Sequence, residues 1–240
     1  MFKNIPLSKP QGDILAVAIS LGGSVISSGP AEKKYANPEA LRKYSTLLLE
    51  LSKKEKLGIV VGGGKLAREM IAEARAQGKS EAWCDWEAIK VTKFNAALLT
   101  KALGSHANPV PFNDFIKASK YLEKHDIVVM FGTIPGITTD TDAVILAEHI
   151  GAKRFVNITN VEGVWDANHK IITKMNHERL AGMAALADRR RAGENFIIDS
   201  LAAKLLARSN IEARFVNGAD LGEVEKAILG KPHRGTLVVD

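Results

Sequence analysis

The sequence predicts an α/β fold in a single globular domain. Short apolar runs alternate with segments of helical periodicity along nearly all of its 240 residues, and that alternation is the signature of strands crossing over through helices. Two of the runs end directly in glycine-rich turns, Leu21-Gly22-Gly23-Ser24 and Gly62-Gly63-Gly64-Lys65, as buried strands do where the backbone must turn sharply. A hydrophobic fraction of 46% with 25% charged residues is that of an ordinary globular chain with a sizeable core.

Taken in order, residues 1–12 form an N-terminal extension ahead of one domain over 13–240. Ile14 to Ile19 reads as the first strand, because a strand covered on both faces is a continuous apolar run. A loop with Pro30 and Pro38 leads to a helix over Pro38 to Lys53, followed by a strand at Leu57 to Val61 and a helix at Leu66 to Ala76. Helical periodicity resumes from Val91 to Leu103, a short segment at Pro109 to Phe112 follows, and a helix at Asp114 to Glu123 precedes a strand at Ile127 to Phe131. The second half repeats the pattern, with a helix at Asp142 to His149, a strand at Phe155 to Ile158 and a helix at Leu201 to Arg208. Strands at Ala213 to Val216 and Thr236 to Val239 flank a helix at Leu221 to Leu229. No internal repeat or low-complexity segment is present.

Composition excludes several classes. The net charge of +6 comes from scattered lysines and arginines with a single run, Arg189-Arg190-Arg191, and no basic stripe interleaved with aromatics marks a nucleic-acid surface. No apolar stretch approaches the roughly 20 residues needed to cross a bilayer, and Met1 to Asp13 is polar, so the expectation is a cytoplasmic protein. The single cysteine, Cys84, reads as a small buried apolar residue, and the six histidines lack metal-ligand spacing. Neither glycine turn matches the Gly-x4-Gly-Lys-Ser/Thr loop or the Gly-x-Gly-x-x-Gly fingerprint.

Four segments carry chemistry. The two glycine turns offer clustered N–H groups to anions, and the helix after the second adds its positive end. The third, Gly132-Thr133-Ile134-Pro135-Gly136-Ile137-Thr138-Thr139-Asp140, places hydroxyls and a carboxylate before a helix that Thr139 or Asp140 would cap. The fourth, Asn157 to Asp166, leaves a strand with polar groups followed by Trp165, whose indole suits stacking on a base. Ligands of open α/β sheets sit outside the carboxyl ends of the strands, where all four segments fall.

With these segments in order, and with Ile198-Asp199-Ser200-Leu201-Ala202-Ala203-Lys204 further on, the chain resembles the amino acid kinase family and, within it, the archaeal uridylate kinase branch. The resemblance runs from about Ile14 to the C-terminus. It implies a three-layer α/β/α sandwich with a mainly parallel central sheet, an acceptor-binding half over 13–150 and an ATP-binding half over 151–240. The implied reaction is in-line transfer of the γ-phosphoryl group of ATP to UMP, with Mg²⁺ arriving on the nucleotide rather than on a protein metal site. A homo-oligomer, a hexamer by resemblance, is also implied.

Carried over residue by residue, the resemblance assigns Gly23, Ser24, Gly64, Arg68, Thr159, Asn160, Trp165 and Asn168 to ATP. It assigns Gly63, Asp85, Thr133, Ile134, Pro135, Gly136, Ile137, Thr138 and Thr139 to UMP. Asp140, Asp199 and Lys65 are the candidate catalytic groups. As plain structure, Asp85 reads as a helix cap, Arg68 as a solvated helix residue and Asp199 as a helix start.

The chain departs from the family pattern at several positions. Ser20 stands where many members carry a lysine, a difference shared with the archaeal branch and one that Lys65, Arg68, Lys204 or metal would offset. Ile137 replaces a common histidine, Thr141-Asp142 a small apolar pair, and Glu162, Trp165 and Asn168 an aspartate, tyrosine and aspartate. The competing readings are a related kinase for another small phosphate acceptor and a catalytically silent nucleotide-binding regulator.

Overall fold

The computed structural model describes residues 15–27, 37–187 and 197–240. The N-terminal extension, the loop with Pro30 and the run Arg189-Arg190-Arg191 lie outside them. One seven-stranded sheet organises the chain: β1 (Ala16–Leu21), β2 (Lys56–Val61), β3 (Ile127–Met130), β4 (Arg154–Thr159), β5 (Lys174–Met175), β6 (Glu212–Asn217) and β7 (Thr236–Val238), in the spatial order β3-β2-β1-β4-β6-β7-β5. Every neighbouring pair is parallel except β6 with β7.

Alternation along the strands feeds two cores. From β1, Ala16 and Ala18 point to one face while Val17, Ile19 and Leu21 point to the other. The first face is covered by α5 (Phe115–Lys124), α6 (Thr139–His149), α7 (His177–Ala187) and α8 (Ser200–Ser209). The second is covered by α1 (Gly23–Ser27), α2 (Pro38–Ser52), α4 (Glu81–Leu103) and α9 (Leu221–Ile228). Helix α3 (Gly64–Ala76) packs on α4, where Cys84 is buried beside Ile71 and Ala74, as an apolar residue should be. Helices on both faces of a mostly parallel sheet make the expected three-layer sandwich.

Local chemistry sets the element ends. Pro38 opens α2 at the position where its missing N–H costs nothing, and the Asn37 side chain accepts from the N–H groups of Glu39 and Ala40. The expected strands and helices are found with shifts of up to three residues, α6 starting at Thr139 rather than Asp142, but five further features differ. α4 begins at Glu81, ten residues before Val91, behind an N-cap from Ser80. α1 and α7 are helices, and β5 a strand, where none was expected. Pro109 to Phe112 makes only a single bridge, Phe112 to Met130.

Candidate active site

Because β1, β2, β3 and β4 are parallel, their carboxyl ends share one edge, and the four expected segments leave from it. The two glycine turns touch backbone to backbone. A Cβ added to Gly23 would lie 2.3 Å from Gly62 O, 2.5 Å from the Gly63 carbonyl carbon and 2.6 Å from Gly64 N, distances that real Cβ atoms do not tolerate. Gly64 adopts φ +67, a left-handed conformation that a side chain would strain, and its own missing Cβ faces Ser24 N at 2.5 Å. Rather than two separate nests, the turns form one continuous surface of backbone.

Side chains extend that surface on one flank. Arg68 of α3 donates to Ser24 Oγ at 3.3 Å and is exposed, as is Lys65, whose ammonium lies 3.9 Å from Glu69. From below, α4 holds the backbone in place: Asn95 Nδ2 donates to Gly62 O at 2.9 Å and to Gly63 O at 3.2 Å, and Thr92 Oγ1 accepts from Gly132 N at 3.0 Å. Sequence reading missed both residues, although the signal was there: Thr92 and Asn95 are polar groups on the helix face that also presents Ala96 and Leu99 to the core.

The loop from Gly132 to Asp140 leaves β3 and wraps toward the glycine surface, bringing Thr139 Oγ1 within 3.4 Å of the position a Gly62 side chain would occupy. Gly136 N donates to Asp85 Oδ2 at 2.8 Å, so Asp85, inside α4 rather than capping it, pins the loop's middle. Ile134 is exposed, Gly136 takes φ +89, and Pro135 and Ile137 are half-buried. The cap of α6 is Thr138, one residue before the expected pair, accepting from Asp140 N at 3.1 Å and Thr141 N at 3.2 Å.

Three carboxylates gather beneath this loop. Asp140 Oδ1 accepts from Ser20 Oγ at 2.6 Å and from Asn157 Nδ2 at 3.2 Å. Burial pushes its carboxyl from an ordinary 3.8 up to about 7, with the Ser20 hydrogen bond opposing, the nearby Asp199 charge adding and Asn157 opposing. Asp199 caps α8, accepting from Leu201 N and Ala202 N, and also takes the hydroxyls of Thr138 and Thr141. Its reading as a helix start therefore holds together with a place in the site. Asp142 accepts from Thr133 Oγ1 at 2.6 Å and Thr133 N at 3.1 Å, and burial raises it to about 6, against the Thr133 bonds. Neither Thr141 nor Asp142 was expected at the site.

The far flank is a loop beyond β4. Thr159 ends the strand, Asn160 follows it exposed, and Glu162 accepts from Asn217 Nδ2 at 2.7 Å, tying the loop to the end of β6. Trp165 bridges Ile171 and remains 42% exposed, which leaves a face open for stacking. Asn168 is exposed on the tight turn that Asp166 organises through the N–H groups of Asn168 and Lys170. Among the described residues, no group of three or more His, Cys, Asp or Glu is arranged to hold a metal ion, and no helix is long and apolar enough to cross a membrane.

Comparison with known proteins bears on this edge. The family model described as the amino acid kinase family matches residues 16–217. The uridylate kinase of Archaeoglobus fulgidus is 39% identical over 222 residues, 90% of this chain and 97% of that one. That of Thermococcus sibiricus is 35% identical over 230 residues, 93% and 99% of the two chains. The crystal structure of uridylate kinase from Archaeoglobus fulgidus superposes with a TM-score of 0.81, covering 94% of this chain and all of that one.

Proposed function

The chain belongs to the amino acid kinase family, and on that premise we propose that it is a UMP kinase, transferring the γ-phosphoryl group of ATP to UMP to give UDP and ADP. The observation that carries this reading is the meeting of a bare backbone surface with the Asp140 and Asp199 carboxylates at one sheet edge, in a chain whose relatives over nine-tenths of its length are uridylate kinases. Such a transfer needs alignment and charge neutralisation more than covalent chemistry, and alignment alone contributes roughly 7–11 kcal/mol. No side-chain nucleophile is required.

In this reading Gly23, Ser24, Gly64 and Arg68 bind the ATP phosphates, while Thr159, Asn160, Trp165 and Asn168 hold its nucleoside end. Gly63, Asp85 and the Thr133 to Thr139 loop bind UMP. With Ser20 rather than a cation bonded to it, Asp140 is a buried carboxyl that favours its proton. Positive charge entering the site would favour its ionised form. Mg²⁺ would supply charge neutralisation at the phosphates, with Asp140 and Asp199 orienting it and Lys65 assisting from the rim. We place the enzyme in the cytoplasm as a homo-oligomer, with the acceptor in the first half of the chain and ATP in the second.

The test is a coupled ADP-release assay with ATP and Mg²⁺, comparing UMP, CMP, AMP, GMP and no acceptor. UMP-dependent turnover that falls by about a hundredfold or more in Asp140→Asn is expected. Turnover with none of these acceptors, despite ATP binding, would overturn the proposal.

A further inference from the structure

Asp142 is fully buried in the first turn of α6, and among the described residues no cation is paired with it. Both of its oxygens are instead occupied by one residue of the loop, Thr133, through the backbone N–H at 3.1 Å and the hydroxyl at 2.6 Å. A carboxylate only accepts hydrogen bonds, and a hydroxyl has a single proton to give. That proton is committed to Asp142, so Thr133 Oγ1 has only lone pairs left to offer a ligand. Any group that meets it must bring the hydrogen.

We propose that Asp142 is a positioning residue that sets Thr133 as an obligate acceptor and so selects, on the phosphoryl acceptor, a nucleoside hydrogen-bond donor: a ribose hydroxyl or a ring N–H. This inference rests on the reading of residues 133–139 as the acceptor loop. The same polarity recurs at Asp85, a carboxylate that takes Gly136 N and keeps lone pairs free. One end of the acceptor cleft therefore accepts hydrogen bonds, whereas the Gly62 to Gly64 end consists of backbone groups. A nucleoside monophosphate has matching ends, with donors on its sugar and base and an anion on its phosphate, so the pattern also orients the molecule with its phosphate toward the glycines. Asp142 accepts both bonds from Thr133, one at each oxygen. Its facing titratable neighbour is Asp199, across the start of α8, with Asp140 two residues away on α6.

Asp142→Asn separates polarity from packing, because the amide is isosteric. It keeps an oxygen for Thr133 N–H and turns an N–H₂ toward Thr133 Oγ1, which frees the threonine proton to point outward. The measurement is kcat/KM for UMP, 2′-deoxy-UMP and N3-methyl-UMP, together with KM for ATP, at pH 8. Wild type should favour UMP over at least one of these donor-deficient analogues by about tenfold, the worth of one good hydrogen bond. That preference should shrink to about twofold in Asp142→Asn and Thr133→Val and persist in Thr133→Ser, with KM for ATP within about twofold in Asp142→Asn. An unchanged preference in Asp142→Asn would overturn the proposal, as would a wild type indifferent to both analogues. Equal rises in KM for UMP and ATP would reduce Asp142 to a packing residue. No UMP turnover by wild type would instead overturn the acceptor-loop reading beneath it.

Discussion

The glycine surface and the carboxylate pocket lie a few residues apart on the same sheet edge and are built on opposite principles. At Gly23, Gly62, Gly63 and Gly64 side chains are absent, and the geometry is enforced by backbone atoms packed so closely that no Cβ fits at Gly23. At Ser20, Asp140, Asn157, Thr138, Thr141 and Asp199 side chains supply the whole structure, through hydrogen bonds that converge on two carboxylates. The first region is suited to an anion as it stands; the second repels one until a proton or a cation arrives. On the proposed reading, a phosphoryl group between them would be held from one side and await neutralisation on the other, which suits a transfer that starts only when the complete set of reactants is present.

The comparison breaks most severely at Gly23. Gly23→Ala drives a methyl into the Gly62 to Gly64 backbone, and because backbone cannot swing aside, the expected loss is about 3 kcal/mol of stability with turnover abolished. Thermal melting and the ADP assay read both.

Asp140→Asn sharpens the contrast from the other side by combining lost activity with gained stability. Burial raises the folded-state pKa of Asp140 to about 7 and of Asp142 to about 6, above the ordinary 3.8. Between roughly pH 4 and 7 the folded chain therefore retains protons that the unfolded chain has released, and stability falls as pH rises through that window. Removing the charge should raise Tm by roughly 3–6 °C at pH 8, and the gain should vanish below about pH 4. A destabilised Asp140→Asn at pH 8 would mean that its carboxylate is matched to its surroundings after all.

The smallest effect is expected at Arg68, which is exposed and held by one long bond to Ser24. Arg68→Gln should leave Tm unchanged and raise KM for ATP by about fivefold, worth roughly 1 kcal/mol.

The glycine surface was legible in the sequence and much of the carboxylate pocket was not. Glycine pairs after apolar runs advertise themselves locally, and so do strands buried on both faces such as β1 and β2. α1 escaped because five residues hold too little periodicity to read, and the first ten residues of α4 because Trp83 and Trp86 stand exposed where an amphipathic pattern would be polar. α7 is rich in alanine and has a weakly marked apolar face. Thr92 and Asn95 act on residues about 30 to 40 positions away, so their roles exist only after folding. Asp142 was visible as an acid leading an apolar run, but its partner Thr133, nine residues earlier, turns toward it only because Gly132 to Asp140 folds back as a loop.

Asp199 has a further consequence, for local opening. One carboxylate caps the first turn of α8 and receives hydroxyls from the first turn of α6, so neither turn can fray without releasing bonds held by the other. In amide hydrogen exchange the Leu201 and Ala202 N–H groups should open together with those of Asp140 and Thr141, as one cooperative unit joining segments some sixty residues apart. Protection at the start of α8 thereby becomes a reporter of what happens at the Gly132 to Asp140 loop.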